Sequence, residues 1–180
     1  MKYNPEKHHR RSIRLKEYDY SQAGGYYITI CSYSGKCIFG DIVNDQMILK
    51  ELGKIVRNEW LKTERIRENV ELDAFMVMPN HFHGIIILTD NGRSFKELDI
   101  VGAYGDTPLQ SPSKTIGAIV RGFKSATTKQ INQFRNAPGL SVWQRNYYEH
   151  IIRNENDLNR IREYIINNPL KWELDDENPN

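Results

Sequence analysis

His81 and His83 flank one apolar residue, Phe82, and the run Gly84-Ile85-Ile86-Ile87-Leu88 follows them. Side chains along a strand alternate between faces, so the two imidazoles project together while Phe82 enters the opposite layer. The run behind them is apolar on both faces, which marks a strand inside a sheet rather than at its rim. Two imidazoles on one face of such an element make a clamp for a divalent metal, the competing reading being a pair of surface or hydrogen-bonded histidines. Near the C-terminus, Tyr164 and Asn168 lie one helical turn apart at the edge of a stripe formed by Leu158, Ile161 and Ile165. A side chain at that edge can reach across a groove. Taken singly, Tyr164 also reads as an amphipathic core tyrosine with a wet hydroxyl, and Asn168, before Pro169, as an ordinary helix terminator.

Cations form a third group. The segment from Lys7 to Lys16 holds five Lys or Arg in ten residues, among them Arg10, Arg11 and Arg14. A helix further on gathers Lys114, Arg121 and Lys124 on one side. Such groups suit phosphates, because each cation that displaces condensed counterions adds salt-dependent affinity that is blind to sequence. For the arm alone, a solvated tail is an equal reading.

The elements that must position these residues follow from periodicity. After Gly24-Gly25, residues 26–31 alternate β-branched and aromatic side chains as a first core strand. Residues 37–43 and 47–50 form a small hairpin around Asn44-Asp45. Leu52, Ile55, Val56 and Trp60 fall at helical spacing over residues 51–67, and a strand over 71–78 turns at Pro79-Asn80 onto the histidine strand. Residues 89–112 show no period and read as a long loop, with a second helix from Ser113. Residues 142–152, with Trp143, Tyr147, Tyr148 and His150, read as a further strand. Asn154 then caps a third helix whose first turn carries Glu155 and Asp157, favoured there by the helix dipole.

The chain of 180 residues is long enough for one domain with an ordinary core. We divide it into a basic arm at 1–23, a domain at 24–172 and an acidic tail at 173–180. Net charge is +2, no internal repeat is visible, and no apolar run approaches bilayer length. The two cysteines, Cys31 and Cys37, lack paired metal spacing, so reduced thiols in a cytoplasmic setting, away from membranes, are expected.

An ordered set of motifs goes further. Arg10-Arg11-Ser12-Ile13-Arg14-Leu15, Tyr18-Asp19-Tyr20, Met78-Pro79-Asn80-His81-Phe82-His83, Val142-Trp143-Gln144-Arg145-Asn146-Tyr147-Tyr148-Glu149-His150-Ile151-Ile152-Arg153 and Tyr164-Ile165-Ile166-Asn167-Asn168-Pro169 span nearly the whole chain. Together they resemble the single-tyrosine HUH transposases, named for His, hydrophobic residue, His, and above all the REP-associated tyrosine transposase branch. The resemblance implies an α+β fold of ferredoxin-like or RRM-like type: an antiparallel sheet with two backing helices and a C-terminal tyrosine-bearing helix. It implies Tyr164 as nucleophile, and His81 and His83 as ligands of Mg²⁺ or Mn²⁺. Asn168 stands where insertion-sequence relatives usually carry a glutamine ligand, and its amide oxygen is the same donor on a shorter stem. The implied reaction is cleavage and rejoining of single-stranded DNA at hairpin-forming repeats through a 5′-phosphotyrosine. The arm, the helix row, Tyr147 and Tyr148 would meet the DNA, His150 would assist, and the protein would act as a monomer or homodimer. The alternatives are a rolling-circle or conjugation nickase and a non-catalytic hairpin-binding descendant.

Overall fold

A computed structural model describes residues 19–89, 114–175 and 177–179. The basic arm with Arg10, Arg11 and Arg14, and nearly all of the 89–112 loop, lie outside these residues. In chain order the elements are β1 (Gly24–Cys31), β2 (Gly40–Val43), β3 (Gln46–Leu49), α1 (Glu51–Arg65), β4 (Val70–Val77), β5 (His81–Leu88), α2 (Ile116–Phe134), β6 (Tyr148–Ile152) and α3 (Glu155–Asn167). Short 3₁₀ turns occupy Tyr33–Gly35 and Pro169–Leu174.

Four strands form one antiparallel sheet in the order β4-β5-β1-β6, with α1 after the first strand and α2 before the last. This is the expected ferredoxin-like topology. The β2–β3 hairpin is an insertion that pairs only with itself, turning at Asn44 and Asp45, whose φ values of 49° and 60° suit the tight turn of a two-residue hairpin.

Alternation along the strands gives the sheet two different faces. Tyr26, Ile28, Ile30, Phe82, Ile86 and Leu88 point one way and pack on α1 and α2 through Val56, Trp60, Ile119 and Phe123. Tyr27, Ile85, Ile87 and Ile152 point the other way, under Leu158, Ile161 and Ile165 of α3. The histidines share this second face, because their odd numbers put them in phase with Ile85 and Ile87. Gly84 serves the first. A Cβ there would stand 2.6 Å from Trp60 Cζ2, so the indole occupies the space that a side chain would need.

Two boundaries differ from the periodicity. α2 starts at Ile116, where Thr115 accepts a hydrogen bond from the Ala118 amide as N-cap. β6 starts at Tyr148 rather than at 142. Upstream of it, Trp143 makes an isolated bridge to Ser32, and Lys124 Nζ donates to the carbonyls of Gln144, Arg145 and Asn146 at 2.5, 3.2 and 3.3 Å. Those carbonyls face an ammonium instead of a strand, so no ladder forms. Among the described residues no helix is long and apolar enough to cross a membrane.

Candidate active site

The centre of the site is β5. His81 and His83 are both buried, with ring centroids 4.4 Å apart at 66°. Asn80, expected as turn chemistry, orients the first of them. Its amide nitrogen donates to the carbonyls of Gly35 and Glu177 at 3.1 and 2.5 Å, which leaves its oxygen to accept from His81 Nδ1 at 2.9 Å. With the proton on Nδ1, His81 Nε2 carries the lone pair. His83 Nδ1 meets the hydroxyls of Tyr27 and Thr29 from β1. Burial pushes the His81 pKa down to about 4, against smaller upward pulls from Asp175 and Asn168. Burial, then the neighbouring His81, hold His83 well below its ordinary value. Both imidazoles are therefore neutral at pH 7, the form that ligates metals.

What they face decides the chemistry. His81 Nε2, His83 Nε2 and Asn168 Oδ1 are all buried without a hydrogen-bond partner, an arrangement that ordinarily costs about 1–3 kcal/mol per atom. The Asp175 carboxylate lies 4.0 Å from His81 Nε2, and the ligand atoms of His81, His83 and Asp175 fall within 4.8 Å of one another. Two imidazole nitrogens, an amide oxygen and a carboxylate make a mixed donor set that fits a divalent cation. Asp175 is the residue that sequence reasoning missed. It lies in a stretch that reads as a solvated acidic tail, yet the turn at Pro169–Leu174 carries it back to the sheet, with Trp172 set 6.0 Å from the His81 ring.

Tyr164 stands on α3 at the edge of its buried stripe, 45% exposed. Its ring lies 5.3 Å from that of His83, so the expected nucleophile and ligand do meet. The helix is held over the sheet by Arg162, whose Nε and Nη2 donate to the two oxygens of Asp73 on β4 at 2.8 and 2.6 Å. That bidentate contact, opposed by burial, keeps the Asp73 carboxyl below its usual range. Asn154 caps α3 as expected, accepting from the Asp157 amide at 2.9 Å.

A cavity of about 850 Å³ runs along this face, bounded by His83, Tyr148, His150, Arg160, Tyr164 and Lys171 among others. His150 Nε2 sits 2.8 Å from Asp157 Oδ2. Burial raises the Asp157 pKa, but hydrogen bonds from Arg160 and His150 outweigh it and bring the carboxyl to about 2. The two adjacent tyrosines separate: Tyr148 is exposed at the cavity, whereas Tyr147 packs against the helix-side core. Lys114 and Arg121 are exposed, but Lys124 is spent on the three carbonyls before β6. The row of cations is thus not one continuous phosphate-facing set.

Comparison with known proteins adds what geometry alone does not. No protein-family model matches the chain. It is 45% identical over 174 residues to an uncharacterized protein of Haemophilus influenzae, covering 97% of this chain and 96% of that one. It is 29% identical over 119 residues to the REP-associated tyrosine transposase of Escherichia coli, covering 66% of this chain and 54% of the relative, so it spans about half of that protein's length. Among solved structures, a REP-associated tyrosine transposase bound to a REP hairpin shares the fold, with a TM-score of 0.53 at 19% identity over 88% of this chain and 74% of that one. A ferredoxin-like sheet that sets a histidine pair beneath a tyrosine-bearing helix is thus the class in which the chain falls. In sequence and fold the chain is similar to REP-associated tyrosine transposases.

Proposed function

We propose that this chain is a metal-dependent strand transferase for single-stranded DNA, cutting and rejoining it at hairpin-forming repeats with Tyr164 as nucleophile. The observation that carries the reading is the convergence of three partnerless buried donor atoms, on His81, His83 and Asn168, beside the ring of Tyr164. The Tyr164 oxygen attacks a phosphodiester phosphorus. The bond to the 3′-oxygen breaks with its electron pair leaving on that oxygen, which takes up a proton, and a 5′-phosphotyrosine remains. One phosphoester replaces another, so the step needs no energy source and runs backwards when a second 3′-hydroxyl attacks. His81, His83, Asn168 and Asp175 would hold the cation, which when bound neutralises charge on the scissile phosphate. His150, held by Asp157 on the wall of the same cavity, is the residue we assign to take the Tyr164 proton.

The hairpin bound by the structurally similar protein and the exposed groups along this face support this choice of DNA. Arg160 and Lys171 offer charge to phosphates and Tyr148 offers a ring for stacking, joined by Arg10, Arg11, Arg14, Lys114 and Arg121 from other parts of the chain. Because α3 docks on the sheet of its own chain, nucleophile and metal clamp come from one molecule, which supports action as a monomer.

The test is covalent capture. Wild-type protein incubated with Mn²⁺ and hairpin-bearing single-stranded DNA should yield a denaturation-resistant adduct on the 5′-phosphate fragment, with the DNA on the Tyr164 peptide. Tyr164→Phe should bind the DNA and form none. Cleavage by Tyr164→Phe at the wild-type rate would mean that activated water does the work.

A further inference from the structure

β1 brings two hydroxyls to the site. Thr29 pairs directly with His83, and Tyr27 lies one diagonal step along, so all three side chains share the α3 face. His83 Nδ1 is 2.8 Å from the Tyr27 oxygen and 2.9 Å from Thr29 Oγ1, and the Thr29 hydroxyl donates to the Tyr27 oxygen at 2.9 Å. The Thr29 hydroxyl has one proton, and it goes to Tyr27, so Thr29 Oγ1 faces His83 Nδ1 as an acceptor and Nδ1 must carry a hydrogen. The lone pair of a neutral His83 then resides on Nε2, the buried atom without a partner beside His81. The proton of Tyr27 is not needed within this triangle. It is left for the Tyr164 hydroxyl, whose ring stands edge-on to that of Tyr27 at 6.3 Å and 89°.

We propose that Tyr27 and Thr29 are positioning residues: together they lock His83 in its Nδ1–H form with the Nε2 lone pair aimed at the metal, and through the Tyr27 O–H they orient the oxygen of Tyr164. The inference rests on the roles proposed above for His83 and Tyr164. One pair of hydroxyls thus sets the register between ligand and nucleophile, and a reacting atom misplaced by an ångström costs heavily in rate.

The experiment reads the tautomer itself. In metal-free, full-length protein labelled with ¹⁵N-histidine, with His83→Asn used for assignment, long-range ¹⁵N–¹H correlation should show His83 protonated at Nδ1. The double variant Tyr27→Phe/Thr29→Val should show mixed tautomers and an Mn²⁺ affinity weaker by about tenfold to a hundredfold. Thr29→Ser should retain the wild-type pattern. At saturating Mn²⁺, where the affinity loss is titrated out, Tyr27→Phe should still form the Tyr164 adduct more slowly than wild type. A wild-type His83 protonated at Nε2 would overturn the proposal, and that measurement needs no variant to fold. So would an unchanged tautomer and Mn²⁺ affinity in the double variant, or an unchanged adduct rate in Tyr27→Phe. Failure of the underlying function has a different signature: no Mn²⁺ binding or no adduct in wild type, with the His83 tautomer still following Tyr27 and Thr29.

Discussion

Asp175 and Asn168 approach His81 from outside β5, and each would add an oxygen to the nitrogens that β5 offers a cation. They differ in charge, which separates their effects. Asp175→Asn keeps shape but removes the anion, so Mn²⁺ affinity measured by calorimetry should fall by more than the tenfold or so that loss of an outer partner costs. Asn168→Ala should weaken it less, Asn168→Gln should be milder still, and His81→Ala/His83→Ala should abolish it. A wild-type titration curve for Asn168→Ala would make that residue a helix terminator and nothing more. The histidines were legible because a period of two puts them on one face whatever the rest of the chain does. Asp175 was not, since nothing in a short acidic tail announces that a 3₁₀ turn will bring it home. The strand read over residues 142–152 already implies opposite faces for Tyr147 and Tyr148, and the two do separate although β6 begins only at Tyr148.

At the scale of elements, β5 is where the two faces compete for one strand. Its odd residues serve the site and its even ones the core, and Gly84 is the even residue that must stay small because Trp60 lies against it. Gly84→Ala should cost about 1–3 kcal/mol in urea unfolding by overpacking, and should also weaken Mn²⁺ binding, because displacement of this backbone moves His83. A variant as stable as wild type would show that Trp60 yields freely. The helices and central strands were readable from apolar spacing, which reports burial directly. The early end of pairing before β6 was not, because it depends on Lys124, distant in sequence, capturing the carbonyls of residues 144–146.

For the whole molecule, the buried imidazoles make stability depend on pH. In the unfolded chain each histidine titrates near 6.5, while in the fold His81 resists protonation down to about 4 and His83 is also depressed. Between these values the unfolded state binds protons that the native state refuses. Stability is therefore full above pH 6.5 and falls as the pH drops toward 4, by at most about 1.4 kcal/mol per pH unit for each histidine. Urea unfolding in EDTA should show lower stability at pH 5 than at pH 7, and Mn²⁺ in place of EDTA should raise stability at pH 7; equal stability at both values in EDTA would mean that the pair takes up protons as readily in the fold as in the unfolded chain. The sheet also sets how long each half of the site endures. β5 is paired on both sides, so the amides around His81 and His83 should exchange hydrogen only when the whole fold opens. α3 closes its hydrogen bonds within itself and leans on the sheet through Leu158, Ile161, Ile165 and the Arg162–Asp73 contact. It can lift without breaking a single rung of the ladder. A DNA end joined to Tyr164 would then ride on α3 together with Asn168 at its C-terminus, while His81 and His83 stay fixed in the sheet below.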